Sequence, residues 1–134
     1  MRPIAPSAAR SRRAGFTLIE LLVVMAIVSV LLTIAVPRYM RQADRAKETA
    51  LKENLNGLRS ALDHYYSDKG RYPEQLSDLV SHRYLRAVPL DPVTDRRDSW
   101  IPAVRNGPDG SRAIDDVRSG APGNAMDGTS FGSW

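Results

Sequence analysis

The feature that most constrains this chain is an apolar run over residues 16–36, which reads FTLIELLVVMAIVSVLLTIAV. At about 1.5 Å per residue, a helix of this length covers roughly 32 Å, which is enough to cross the hydrocarbon core of a bilayer. Its 21 residues include four polar side chains: Thr17, Glu20, Ser29 and Thr33. The run therefore predicts a membrane-spanning helix.

Two other interpretations of the apolar run are weaker. A cleaved secretory signal has a short apolar region followed by an A-x-A-like site, whereas this run is long and is followed by Pro37-Arg38-Tyr39. A buried core helix this apolar would need a large domain around it, which roughly a hundred further residues cannot supply. We therefore keep the membrane span.

The net charge of +4 is concentrated before the span. Four of the 19 basic residues lie within residues 1–15, which contain no acidic residue: Arg2, Arg10, Arg12 and Arg13. The other 15 equal the 15 Asp and Glu residues, so the rest of the chain lacks the basic surface that nucleic-acid binding requires. Basic residues before a span remain cytoplasmic, which predicts that residues 37–134 are exported.

A long amphipathic segment follows the span. Apolar residues recur at spacings of four and three, as on one face of a helix: Leu51, Leu55, Leu58, Leu62 and Tyr65. We predict one helix over residues 16–67, with 16–36 in the membrane and 37–67 in water. Its leucine face should form the core of a globular domain.

Residues 68–134 predict a small α+β region. Tyr72-Pro73-Glu74 is expected to open a short helix. Residues 99–104 and 113–118 are expected to form two strands around a turn at 106–110, with Pro102 restricting the first to an edge position. The predicted fold class is α+β, a long N-terminal helix packed by a small antiparallel sheet.

No residue pattern in the chain predicts catalysis. His64 and His82 are expected to be ordinary surface residues, and the adjacent Asp115 and Asp116 should point to opposite faces of a strand. Motifs for hydrolases, zinc proteases and nucleotide binding do not occur. The absence of cysteine excludes disulfide scaffolds and thiolate chemistry. We predict that the chain is not an enzyme.

The junction before the span carries a family resemblance. Residues 12–15 (RRAG) followed by residues 16–20 (FTLIE) resemble the class III signal peptide of type IV pilins and type II secretion pseudopilins. Further motifs are similar to the major pseudopilins of type II secretion: Tyr65-Tyr66, Gly70-Arg71-Tyr72-Pro73, Leu85 and Pro89-Leu90-Asp91-Pro92. Type IVa pilins usually close their C-terminal loop with a disulfide, which this chain cannot form. The resemblance therefore favours a pseudopilin over a pilin.

The resemblance implies that residues 1–15 are a leader peptide. A prepilin peptidase would cut between Gly15 and Phe16, and the new N-terminus at Phe16 would be N-methylated. Glu20 is the single ionisable side chain of the span, where a carboxylate is unfavourable by roughly 2.5–3.5 kcal/mol. After cleavage, the amine of Phe16 on one subunit is expected to neutralise Glu20 on its neighbour.

The function implied is a structural subunit of the type II secretion pseudopilus, a helical filament that drives folded proteins across the outer membrane. Expected partners are further copies of the chain, minor pseudopilins, the prepilin peptidase and the inner-membrane secretion platform. The chain would be a single-pass inner-membrane protein with residues 68–134 in the periplasm. Alternatives are a type IV pilin or minor pilin, and a membrane-anchored periplasmic binding module or enzyme.

The tail over residues 116–134 resembles the calcium-binding loop of major pseudopilins. Calcium prefers six to eight oxygen ligands on flexible backbone. Four residues are the candidate ligands: Asp116, Ser119, Asn124 and Asp127. Pro122 stands near a position where the family pattern often has an acidic residue, which removes one ligand. We expect millimolar calcium to order the tail and raise the melting point, whereas the alternative is a turn that holds no ion.

Overall fold

The computed structural model describes residues 14–134, so most of the predicted leader, including its four arginines, lies outside the described residues. The chain divides after Tyr39 into two compact units. The elements in chain order are helix α1 (Leu18–Lys69), helix α2 (Leu76–Ser81), strand β1 (Trp100–Asn106), strand β2 (Arg112–Ser119) and a 3-10 helix (Phe131–Ser133). The predicted α+β fold with a long N-terminal helix is confirmed.

The first unit contains the apolar part of α1. The helix begins at Leu18, and Pro37 lies inside it without ending it. The two hydroxyls between Leu18 and Val36 are satisfied within the helix, because Ser29 Oγ donates to Met25 O at 2.7 Å and Thr33 Oγ1 donates to Ser29 O at 2.8 Å. Such bonds to a preceding carbonyl suit hydroxyls in a lipid environment.

The second unit packs around the leucine face of α1. Six residues of the helix are buried: Leu51, Leu55, Leu58, Ala61, Leu62 and Tyr65. One cluster joins the first three leucines to Trp100, Val117 and Phe131, and a second joins Leu62 and Tyr65 to Leu79 and Ile114. The face predicted from the leucine spacing is thus the core of this unit.

Helix α1 ends at a glycine in the left-handed region. Gly70 has a φ of 70°, and its N–H donates to Tyr66 O at 2.8 Å. A residue without a Cβ adopts this conformation at low cost, which makes glycine the usual residue just past a helix end. The observed end at Lys69 lies two residues beyond the predicted one.

Helix α2 begins later than predicted. Its first residue is Leu76 rather than Tyr72, because Gln75 occupies the N-cap in an extended conformation. The carboxylate of Asp78 accepts hydrogen bonds from the N–H groups of Gln75 and Glu74, at 3.0 and 3.2 Å. These contacts satisfy donors before the first turn and fix the start of the helix.

The two predicted strands form an antiparallel pair. The register places Trp100 opposite Ser119 and Asn106 opposite Arg112, with an irregularity between Ala103 and Val104. The pair is the whole sheet within the described residues, so Pro102 lies on an edge strand, where a missing N–H is tolerated. The fold thereby brings the end of β2 and the C-terminal tail against α1.

Candidate functional site

The predicted cleavage site is exposed and lies outside regular structure. Gly15 and Phe16 precede α1, and Phe16 is 87% exposed. Among residues 14–134, and apart from Gly15 and its two neighbours, no atom lies within 4 Å of the position that a Cβ on Gly15 would occupy. The backbone here is accessible to an enzyme, which cleavage of a leader requires. The arginines at positions 12 and 13 lie outside the described residues.

Glu20 lies in the first turn of α1. Its N–H donates to Thr17 Oγ1 at 3.2 Å, which makes Thr17 a side-chain N-cap. A carboxylate in this turn also interacts favourably with the positive end of the helix dipole. The spacing Thr-x-x-Glu is a known helix-start signature, so the capping role of Thr17 could have been recognised in the sequence but was missed.

The apolar side chains of the span are exposed on every side of α1. The large apolar residues from Leu18 to Val36 are between 42% and 77% exposed. No other stretch of this length among residues 14–134 exposes its apolar side chains in this way. This helix is the one in the described chain that is long and apolar enough to cross a membrane. Such a surface needs lipid or other apolar helices around it.

The predicted calcium residues are dispersed over different contacts. Asp116, on β2, accepts a hydrogen bond from Arg59 Nε at 2.8 Å, and Arg59 Nη2 also donates to Val117 O at 3.1 Å. Desolvation raises the pKa of Asp116, but the hydrogen bonds from Arg59 and from the N–H of Val117 outweigh it and hold this pKa below its usual value. The carboxylate is therefore already paired with a cation.

Two of the other three candidates, Ser119 and Asp127, also have side-chain oxygens in hydrogen bonds. The buried Ser119 hydroxyl donates to Asp91 Oδ2 at 2.7 Å and accepts from the N–H of Ala121 at 3.0 Å. Asp127 Oδ1 accepts from the N–H and the hydroxyl of Thr129, at 2.9 and 2.6 Å. These bonds lower the pKa of Asp127, and the charge of Lys52 lowers it further. Asn124 forms an isolated bridge with Ser130.

As arranged, these residues do not fit a calcium site. Calcium requires several oxygens directed at one point, and three of the four candidates, Asp116, Ser119 and Asp127, have a side-chain oxygen in a hydrogen bond with another residue. Within residues 14–134, no group of three or more His, Asp or Glu side chains is placed to hold a metal ion. Calcium binding stays a prediction.

A buried aspartate was missed in the sequence. Asp91 is fully buried, and its Oδ1 accepts from the N–H groups of Val93 and Thr94 at 2.8 and 3.2 Å. Its second oxygen accepts from Ser119, so one carboxylate joins the Pro89–Pro92 motif to the end of β2. An aspartate before Pro-x-Thr is typical of a turn, but its burial is not visible in the sequence.

The remaining polar candidates show no catalytic arrangement. His64 and His82 are exposed, and His82 Nδ1 lies 2.9 Å from Asp78 O, where it must be the donor. The adjacent carboxylates on β2 pair with different arginines, Asp116 with Arg59 and Asp115 with Arg105 at 2.6 Å. Two carboxylates that diverge in this way cannot act on one bond.

Comparison with known proteins identifies two family matches. The prokaryotic N-terminal methylation motif matches residues 10–36, which include the predicted cleavage site and the span. The family described as type II secretion system (T2SS), protein G, matches residues 38–96. Together the two matches cover most of the chain up to the connection before β1. No solved structure matched significantly.

Curated relatives carry the same assignment. The type II secretion system core protein G of Dickeya chrysanthemi is 32% identical over 146 aligned residues, covering 87% of this chain and 95% of that protein. Its counterpart from Klebsiella michiganensis is 30% identical and covers 80% and 92%. The type IV major pilin protein PilA of Myxococcus xanthus is 38% identical over 68 residues, which is 51% of this chain but 31% of that pilin.

The pilin match covers about a third of the pilin, whereas the matches to the Dickeya chrysanthemi and Klebsiella michiganensis proteins cover 95% and 92% of those relatives. The exposed apolar helix and the methylation motif together make the chain a membrane-anchored protein. The chain belongs to the type II secretion system protein G family, the pseudopilins.

Proposed function

We propose that this chain is a filament subunit of the type II secretion pseudopilus and that its role is structural. The observation that carries the proposal is the surface of α1 between Leu18 and Val36, which exposes large apolar side chains on every side. The hydroxyls of Ser29 and Thr33 are satisfied within the helix, so this surface can exchange lipid for identical helices with Glu20 as the one polar side chain that still needs a partner.

Cleavage after Gly15 would complete the assembly chemistry. The cut creates a positively charged amine on Phe16, four residues before Glu20. Among packed apolar helices, the amine of one subunit neutralises Glu20 of its neighbour. A slip in register would leave two buried charges unmatched, and breaking a buried pair costs about 3–5 kcal/mol. The pairing therefore fixes the axial stagger between subunits.

The proposed location follows from the charge before the span. The arginine-rich leader keeps the N-terminus cytoplasmic, so the chain is stored in the inner membrane with its C-terminal region in the periplasm. The prepilin peptidase removes the leader. The inner-membrane secretion platform then draws subunits into a periplasmic pseudopilus, with minor pseudopilins as further partners. The filament pushes folded proteins through the outer membrane.

A type IV pilin or minor pilin is the second candidate. The match to the Myxococcus xanthus pilin supports it, although this match covers a minor part of that protein. The lack of cysteine and the longer protein G matches favour the pseudopilin. A membrane-anchored periplasmic binding module or enzyme is a further alternative, which would retain its leader.

Electron microscopy of cells that overproduce the chain tests the proposal. We expect sheared fibres that contain this chain alone and whose N-terminal residue is methylated Phe16. A chain that keeps its leader and stays in the membrane without forming fibres would contradict the proposal. A processed chain that joins fibres only with another subunit would indicate a minor pilin or pseudopilin.

A further inference from the structure

Three polar side chains on one face of α1 contact the C-terminal segment, which we define as residues 116–134. Glu48 Oε1 accepts the N–H of Met126 at 2.6 Å, and Lys52 Nζ lies 4.3 Å from the ring centroid of Trp134. Arg59 pairs with Asp116 at 2.8 Å. Spacings of four and seven residues place all three on the same side of a helix.

Basic side chains of α1 act on both acidic residues of the segment. Asp116 is paired with Arg59, and the charge of Lys52 acts on Asp127. These two aspartates are the acidic candidates for calcium ligands. Asp116 thus has a cation from α1 beside it, whereas Asp127 is bonded within the segment, to Thr129, and Lys52 of α1 contacts Trp134.

The segment also closes on itself through hydrogen bonds. The N–H of Ala125 donates to Thr129 O at 2.7 Å, and the N–H of Phe131 donates to Gly123 O at 3.3 Å. The indole N–H of Trp134 donates to Thr129 Oγ1 at 2.9 Å. Phe131 and Trp134 pack edge to face, and Phe131 belongs to the main core. The segment is thus held both by hydrogen bonds within itself and by the packing of Phe131 in the core.

We infer that the C-terminal segment is held in place without calcium, by Glu48, Lys52 and Arg59 of α1. Arg59 takes the place of a bound cation at Asp116, because it neutralises a carboxylate that an ion would need, and Lys52 holds the end of the segment through the ring of Trp134. A divalent cation at Asp116 would meet the positive charge of Arg59 and would have to displace this side chain from the carboxylate. This inference does not depend on filament assembly, and it opposes the calcium expectation drawn from the family resemblance.

The first test compares the full chain, purified in detergent, in millimolar calcium and in chelator. We expect the same melting temperature in both solutions and no calcium retained after equilibrium dialysis. A melting temperature that rises with calcium, or about one calcium ion retained per chain, would overturn the inference. This test needs no variant and therefore does not depend on whether a mutant folds.

The second test removes the cations one at a time. Lys52→Gln and Arg59→Gln should each lower the melting temperature by about 2–6 °C, in calcium as in chelator. Arg59→Lys should lower the melting temperature less than Arg59→Gln does. It keeps the positive charge but cannot make both of the hydrogen bonds that the guanidinium donates to Asp116 and Val117. The matched control is Arg45→Gln, an exposed position on the same helix, which should melt within about 1 °C of wild type. If both test variants melt like this control, α1 does not hold the segment in the way inferred.

Discussion

The hydroxyl of Ser119 donates a 2.7 Å hydrogen bond to Oδ2 of Asp91, and both side chains are buried. The two residues are 28 positions apart, so this bond fixes the loop before β1 against the end of β2. The carboxylate accepts two further bonds from backbone N–H groups. Hydrogen bonds replace the hydration that a buried carboxylate loses, which is the condition for keeping it in a core.

Removing the hydroxyl of Ser119 should destabilise the protein. Ser119→Ala leaves one carboxylate oxygen of Asp91 and the N–H of Ala121 without their partner, which costs about 1–3 kcal/mol. Asp91→Ala should cost more, because it leaves three donors unsatisfied. Urea unfolding of the full chain in detergent measures both. The exposed Ser67→Ala is the control, and a Ser119→Ala midpoint equal to that of Ser67→Ala would contradict the role of this bond.

Two glycines should respond to alanine with opposite signs. A Cβ on Gly120 would lie 2.2 Å from Ser99 O, the carbonyl that accepts the N–H of Gly120 at 2.9 Å. Backbone would have to move, so Gly120→Ala should be strongly destabilising. Gly57 lies within α1, and no described atom outside the adjoining helix backbone lies within 4 Å of the same position, so Gly57→Ala should stabilise by about 0.5–1 kcal/mol. Thermal melting of the two variants checks the sign, and equal shifts would refute the geometry of the Ser99 contact.

The Arg59–Asp116 pair should make stability sensitive to acid. The pKa of Asp116 is lowered in the folded chain, so the pair contributes stability above the ordinary aspartate pKa of about 4, and this contribution is lost as pH falls through the lowered folded pKa. Asp116→Asn should therefore melt below wild type at pH 7, and the two melting temperatures should approach each other at lower pH. Asp63→Asn, on the exposed side of α1, is the control. A difference from wild type that is the same at every pH would exclude titration of Asp116.

The sequence predicts the parts of this fold that depend on periodicity. The spacing from Leu51 to Tyr65 is set by the helix repeat, and the helix and its buried face were predicted correctly. The two strands were located to within two residues at each end, because their turn residues and apolar residues are local signals.

The contacts that hold the C-terminal segment were not predictable in this way. Arg59 and Asp116 are 57 residues apart, and Glu48 and Met126 are 78 apart. No local pattern specifies which exposed charge of a helix meets which distant residue, since this depends on how the loops return. The start of α2 differs from the prediction for another reason. Pro73 indicates a helix that begins beside it, but the N–H groups of Glu74 and Gln75 donate to Asp78, and the helix begins only at Leu76.

Replacing Gly15 should block processing without disturbing the fold. In the described part of the chain, no atom beyond the two neighbouring residues lies within 4 Å of a Cβ at this position, so the effect of Gly15→Val would be on recognition by the peptidase rather than on packing. We expect the variant to stay in the membrane at precursor mass, with no fibres and no secreted protein. Mass spectrometry of the membrane fraction measures this, with Gly57→Ala as a processed control. Detection of a chain that begins at Phe16 in the Gly15→Val strain would refute the cleavage site.

The charge of Glu20 should be needed for assembly but not for insertion or cleavage. Glu20→Gln keeps the size of the side chain and the N–H that Thr17 accepts, and it removes only the negative charge. In the proposed filament this leaves the amine of Phe16 without its partner, at a cost of about 3–5 kcal/mol per subunit. We expect a processed, membrane-inserted chain that forms few fibres and abolishes secretion.

Thr17→Val separates this role from helix capping. It removes the hydroxyl that accepts the N–H of Glu20, which should cost about 1 kcal/mol of helix stability while leaving the charge in place. If Glu20 acts through charge pairing, Thr17→Val should assemble and secrete far better than Glu20→Gln. Equal defects in the two strains would assign Glu20 to the helix start instead. Wild-type fibres and secretion from the Glu20→Gln strain would exclude the pairing altogether, because the filament would then tolerate an unmatched amine in its apolar core.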